Sequence, residues 1–154
     1  MNHTATIRWS NTDPAAFAKG HYSRAHNWHF DGGAFVPASS SPSVVRLPFS
    51  DPAGVDPEEA FIASVASCHM LWFLDLARHA GMVVASYDDA AEASMAKTAD
   101  GQYWIDRVTL RPLVTFAGHA TDAAAVMAVH DAAHHACFIA NSIRSEVVIA
   151  PRHA

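Results

Sequence analysis

With 154 residues, 51% of them hydrophobic and 16% charged, the chain has the size and apolar content of one globular domain, residues 1–154, with a substantial core. A formal net charge of −5 without any run of Lys or Arg excludes the basic field that would draw in nucleic acid or an anionic membrane. Arg8, Asp13 and Lys19 interrupt the start of the chain where a secretory signal needs an apolar core, and two cysteines are too few for a secreted disulfide scaffold, so the cytoplasm is the expected compartment.

In chain order, Ser23 to Phe30 alternates toward Trp28 and Phe30, and Asp31-Gly32-Gly33 supplies residues that accept positive φ before Ala34-Phe35-Val36. This pattern predicts a β-hairpin. Pro37, Pro42, Pro48 and Pro52, among Ser39, Ser40, Ser41 and Ser43, predict an irregular segment as far as Asp56, and loops this long in compact domains tend to be functional. Asp56 then offers an N-cap, Pro57 is preset for the first helical turn, and Glu58 and Glu59 suit the positive end of the helix dipole. Gly81, just after His79, marks the stop. The fifteen residues between Glu59 and Asp75 include no Asp, Glu, Lys or Arg. That run is too short to span a membrane and apolar almost all round, which predicts a buried central helix.

Beyond Asp100-Gly101, the residues Trp104, Val108, Leu110, Pro112, Val114 and Phe116 alternate with Arg107, Thr109, Arg111 and Thr115. One strand of that length would reach roughly 43 Å at about 3.3 Å per residue. Either Pro112 marks a bulge, or the strand serves a larger, dimeric body. Thr121 to Cys137 predicts a second helix with Val126, Val129, Ala133 and Cys137 near one stripe, and Ile143 to Ala150 alternates as a closing strand. Strands and helices in mixed order define an α+β chain.

Cys68 falls in the middle of the first long helix and Cys137 ends the second, after His134-His135-Ala136. The pair reads as redox or nucleophilic chemistry, or as two inert buried thiols. A second possibility is a zinc or copper site, drawing on eleven histidines that include His69 beside Cys68 and the i, i+4 pair His130 and His134. No Cys-x-x-Cys motif supports it. A third is a binding module for an apolar ligand, with the cysteines as sensors. A serine hydrolase lacks its Gly-x-Ser-x-Gly elbow here.

The stretch from Asp56-Pro57-Glu58-Glu59 to Ser67-Cys68, together with Ala133-His134-His135-Ala136-Cys137, resembles the osmotically inducible/organic hydroperoxide resistance (OsmC/Ohr) family. The likeness extends over most of the chain, because the strand-rich start, the Asp-Gly hairpin and the second cysteine helix follow the family's order. It implies an OsmC-like α+β fold, with antiparallel β-sheets packed around a long central helix bearing Cys68, in an intertwined homodimer. It further implies a thiol peroxidase that reduces organic hydroperoxides with electrons from an external dithiol of lipoyl or small-thiol type. Cys68 matches the peroxidatic cysteine, Cys137 the resolving cysteine and Glu58 the carboxylate. Arg24, in Tyr22-Ser23-Arg24-Ala25-His26, is the best match to the family's arginine, with Arg8 and Arg46 as fallbacks. Cys68-His69-Met70-Leu71 and Phe138-Ile139-Ala140-Asn141 depart from the best-known hydroperoxide-resistance pattern, which leaves the preferred hydroperoxide open.

The implied cycle runs through a Cys68 sulfenic acid and a Cys68–Cys137 disulfide. It needs no metal or organic cofactor. A thiol in an apolar helix requires a nearby cation to become a nucleophile. The helix N-terminus is too distant to supply one, and His69 diverges from Cys68 by about 100° around the helix. An arginine from the strand layer meets the need, because its fork of donors can hold both the sulfur and a peroxide oxygen. Ten helical residues separate Glu58 from Cys68 by about 15 Å, so both can hold one guanidinium only if two chains contribute to each site. Active sites at a homodimer interface are therefore expected. Trp28, Phe30, Phe35, Phe61, Trp72 and Phe73 are candidates for an apolar funnel, although most such residues serve a core.

Overall fold

A computed structural model describes residues 2–118 and 122–152. The chain forms two compact units, 1–60 and 61–154. In the first, β1 (Ala5–Arg8), β2 (His26–Phe30) and β3 (Phe35–Ala38) make an antiparallel sheet in the order β1-β2-β3. The predicted hairpin is β2–β3, closed where Gly33, at φ +85°, donates its N–H to the Phe30 carbonyl. The pairing begins at His26 rather than Ser23. The sequence reading missed both β1 and the short helix α1 (Pro14–Ala18), although Asp13 caps α1 through the Ala16 N–H at 2.9 Å. The irregular segment is tied back by a parallel bridge between Ala38 and Val55. Gly54 is required there: a Cβ would lie 2.9 Å from the Ala38 carbonyl carbon.

The long helix α2 (Pro57–His79) starts with a capping box in which Glu59 N–H donates to Asp56 Oδ1 and Asp56 N–H to Glu59 Oε2, at 2.7 and 3.0 Å. It ends in a Schellman turn, with Gly81 at φ +77°, Met82 N–H on the Ala77 carbonyl and Gly81 N–H on that of Arg78. The predicted caps therefore hold at both ends. The predicted burial of this central helix is met along one side. Within this chain only the i, i+4 stripe Val65, His69, Phe73 and Ala77 is sealed, while Leu71 is 62% exposed. The whole helix is also long and apolar enough, by length and composition alone, to cross a membrane, unlike the shorter uncharged run from which the sequence argument excluded it.

The second unit continues with β4 (Val84–Asp89), β5 (Glu92–Lys97), β6 (Tyr103–Leu110), β7 (Pro112–Phe116), α3 (Ala123–Ala136), a 3-10 turn (Ala140–Ser142) and β8 (Glu146–Ile149). The single long strand expected up to Phe116 is two strands serving two sheets. β6 pairs antiparallel with β5 and parallel with β8, whereas β7 pairs antiparallel with β4. The switch falls at Arg111, whose N–H donates to Asp89 Oδ1. Two bulges shift the alternation. Asp106 is skipped in the β5–β6 ladder and Ala85 in the β4–β7 ladder, so Ile105 rather than Trp104 joins the core, and Val84 and Tyr87 both point inward. The closing strand is shorter than predicted, and the predicted start of α3 at Thr121 lies outside the described residues.

Two apolar clusters hold this unit. One joins Phe73 and Ala77 of α2 to Val129 and Ala133 of α3 over β4 and β7; the other joins Val65 to Val108 and Leu110 of β6. Sealing a side chain such as Phe73 or Leu110 contributes about 1.5–3 kcal/mol. The helix is thereby fixed to both sheets along one stripe, and its opposite side is left open.

Candidate active site

Cys68 lies on that open side. Helical periodicity lines up Ser64, Cys68, Leu71, Trp72 and Asp75 along one wall of an open cleft of about 570 Å³, and Phe138 and Ile139 form the other wall. The cleft is apolar apart from the serine hydroxyls and Asp75, which is paired with Arg78 at 2.9 Å. Trp72 and Phe138 meet edge to face, with ring centroids 5.4 Å apart. Phe138 is 69% exposed.

The second cysteine enters from α3. Asp122 caps the start of that helix through the Ala125 N–H, and Cys137 ends it in an extended conformation. The chain then curls over the sulfur, so that Ala140 N–H donates to Cys137 Sγ at 3.4 Å and Asn141 N–H to the Cys137 carbonyl. Cys137 is fully buried, Cys68 only half so, and neither is in a disulfide. The Cys68 thiol lies near enough to Cys137 to influence its ionisation. Burial pushes the Cys137 thiol up to about 11, and the adjacent Cys68 adds to the rise against the backbone N–H groups of Ala140 and Ile139. Cys137 is thus held as the neutral S–H beside the more accessible sulfur of Cys68.

Of the four residues assigned from the resemblance, the fold brings these two together. Glu58 stands in the first turn of α2, about 15 Å along the helix from Cys68, so the two do not meet within one chain. Arg24 belongs to the first unit. Its Nη1 donates to the carbonyls of Gly20 and Tyr22, and its guanidinium lies 3.7 Å over the Tyr22 ring. Nε and Nη2 make no hydrogen bond among the described residues, and the group lines a cleft of about 390 Å³ with Ile7, Trp9, Phe17, Tyr22 and His26. Arg8 is exposed on β1, and Arg46 is exposed in the irregular segment.

The candidates from the metal reading are placed differently. His69 and His130 are sealed in the core, with Nε2 of the first 3.0 Å from Nδ1 of the second. Burial lowers both to about 4; His130 and His134 add to the effect at His69, while Asp131 opposes it at His130. Both are therefore neutral. Among the described residues, no group of three or more His, Cys, Asp or Glu side chains is arranged to hold a metal ion.

Sequence reasoning missed Phe138 and Leu71 as cleft residues and His130 as a core residue. Leu71 was recoverable from its i+3 spacing to Cys68. The role of Phe138 depends on the turn after α3. Of the proposed funnel aromatics, Trp72 lines the cleft and Phe73 is core, as Phe61 is in part.

An α+β unit that holds a free cysteine on an apolar cleft and a second, buried one near it defines a class of thiol protein. The sequence profile of the OsmC-like protein family matches residues 50–152, and the chain belongs to that family. It is similar to an OsmC-like protein of unknown function from Vibrio cholerae, at 44% identity over 99% of each chain and a TM-score of 0.94. The fold is also that of the organic hydroperoxide resistance protein OhrB of Bacillus subtilis, with 18% identity over 100% and 98% of the two chains and a TM-score of 0.66. An organic hydroperoxide resistance protein from Elizabethkingia anophelis shares it too, with 13% identity over 100% and 96% and a TM-score of 0.71. No curated protein matches the sequence.

Proposed function

We propose that the protein is a cysteine peroxidase that reduces organic hydroperoxides to alcohols in defence against oxidative stress, without a metal or organic cofactor. The observation that carries this reading is the convergence of a half-buried Cys68 on the wall of an apolar cleft and a sealed Cys137 near enough to influence its neighbour's chemistry. The Cys68 thiolate attacks the terminal peroxide oxygen. The O–O bond breaks, the alkoxide leaves as alcohol with a proton from the site, and Cys68 becomes a sulfenic acid. Cys137 then gives up its proton and attacks the Cys68 sulfur, expelling water and forming the disulfide. An external dithiol of lipoyl or small-thiol type reduces that bond by exchange.

Burial supports the order of events. The accessible sulfur meets the peroxide, while the sealed one, kept protonated, can react only with a partner already beside it. The apolar walls formed by Leu71, Trp72 and Phe138 suit an alkyl or aryl hydroperoxide better than hydrogen peroxide. Arg24 is the activating cation in this reading, a role for which a guanidinium's fork of donors is suited. Glu58 of the partner subunit orients it across the interface of a homodimer. The open side of α2, with an exposed Leu71, is consistent with a second copy covering it. The cytoplasm is the compartment of this reading, as the low cysteine count suggests.

The test is consumption of cumene hydroperoxide and of hydrogen peroxide with dithiothreitol or dihydrolipoamide as reductant. Rapid loss of the organic peroxide, slower loss of hydrogen peroxide and dependence on Cys68 support the reading. Equal, negligible rates in the wild type and in Cys68→Ser overturn it.

A further inference from the structure

The buried histidine pair is not used by the cycle above, and its placement gives it a role. We propose that the His69–His130 hydrogen bond is the positioning contact that sets the register of α2 against α3, and so holds Cys68 and Cys137 within bonding reach of each other. The inference rests on the two-cysteine reading. His69 directly follows Cys68, and His130 lies seven residues, about two helical turns, before Cys137. Each cysteine thus has one member of the pair on its own helix.

The apolar contacts between α2 and α3 involve Phe73, Ala77, Val129 and Ala133. Such contacts are not directional. A slip of α3 by one residue, about 1.5 Å along its axis, leaves much of that apolar area buried and carries Cys137 away from Cys68. The imidazole bond does not tolerate the same slip, because a 3.0 Å N···N contact lengthened by that amount is no longer a hydrogen bond. The rings are also fixed in orientation. They lie within 6° of parallel with centroids 5.3 Å apart, and His130 packs on Phe73 with centroids 4.2 Å apart.

A purely structural role fits the pair poorly. Two sealed imidazoles cost more to bury than two leucines. Nδ1 of His69 and Nε2 of His130 have no hydrogen-bond partner among the described residues, so each ring's polar satisfaction there comes from the other. What the pair supplies that apolar residues cannot is a bond of fixed length and direction between the two cysteine helices.

The experiment measures the effective concentration of Cys68 for Cys137, from the equilibrium of their disulfide against reduced and oxidised glutathione. It requires no peroxide turnover. His69→Leu/His130→Leu removes both polar groups and keeps the volume apolar. His69→Gln/His130→Asn places amide groups near Nε2 and Nδ1 and can restore the bond. The proposal expects the double leucine variant to fold and to lose at least about tenfold in effective concentration, with the Gln/Asn variant remaining close to wild type. A folded double leucine variant with the wild-type value overturns it. If the leucine pair does not fold, the Gln/Asn variant decides: a wild-type value supports the proposal, and a value fallen to that of the denatured chain overturns it. A wild type that forms the disulfide with glutathione but consumes no organic peroxide refutes the peroxidase reading and leaves the positioning role intact.

Discussion

Cys68 and His69 are neighbours in sequence, yet one faces an open apolar cleft and the other a sealed core. On the cleft side, Leu71 and Phe138 are more than half exposed, and the sulfur is accessible. On the core side, His69 is 1% exposed and hydrogen-bonded to His130 of α3. One turn of α2 therefore carries a reactive surface and a rigid backing. The difference teaches that apolar composition does not distinguish the two sides. Sequence spacing places them apart, and the packing of α3 and the sheets decides which one is closed.

The contrast can be broken most severely at the sulfur. Cys68→Ser is expected to lower organic hydroperoxide turnover at least about a thousandfold with little change in unfolding midpoint, as read by coupled peroxide assay and thermal melting. On the opposite side, His69→Leu alone leaves His130 buried without a partner and is expected to cost about 1–3 kcal/mol of stability, measured by urea unfolding. The double leucine variant should lose less than that single change.

Acid sharpens the same comparison. His69 and His130, near 6.5 in the unfolded chain, sit at about 4 when folded. The unfolded state therefore binds more protons, and stability falls as the pH drops from about 6.5 toward 4, by up to about 1.4 kcal/mol per pH unit for each histidine. His134 beside His69 and Asp131 beside His130 modulate the slope. Urea unfolding at intervals across that range should show the fall in wild type and its loss in His69→Leu/His130→Leu. The smallest effect is expected at the rim. Phe138→Ala should raise KM for cumene hydroperoxide about three- to tenfold while leaving stability nearly unchanged, since the ring is 69% exposed.

Local chemistry was legible in the sequence wherever one short segment contains all its partners. Asp56, Pro57 and Gly81 bound α2 because caps and positive-φ stops involve residues within a turn of each other. Asp13-Pro14 carried the same start signal for α1 and was overlooked. The strand phase around Trp104 was misread because the bulge at Asp106 exists only in its pairing with β5. The break at Arg111 was missed for a similar reason: β6 and β7 differ in which strands they pair with, not in their own alternation. At the site, the family resemblance singled out the two cysteines before their meeting could be seen. The pairing of His69 with His130, across 61 positions, was not visible, since a histidine within an apolar helix reads equally well as core, ligand or surface.

The central claim is that Cys68 and Cys137 act as one redox unit. The most direct measurement is peptide mapping by mass spectrometry after one equivalent of cumene hydroperoxide is added to the fully reduced protein. The account predicts a Cys68–Cys137 disulfide within a single chain as the main product, and a trappable Cys68 sulfenic acid in Cys137→Ser. Both thiols still reduced after the peroxide has been supplied, or oxidation of Cys137 with Cys68 untouched, would contradict it.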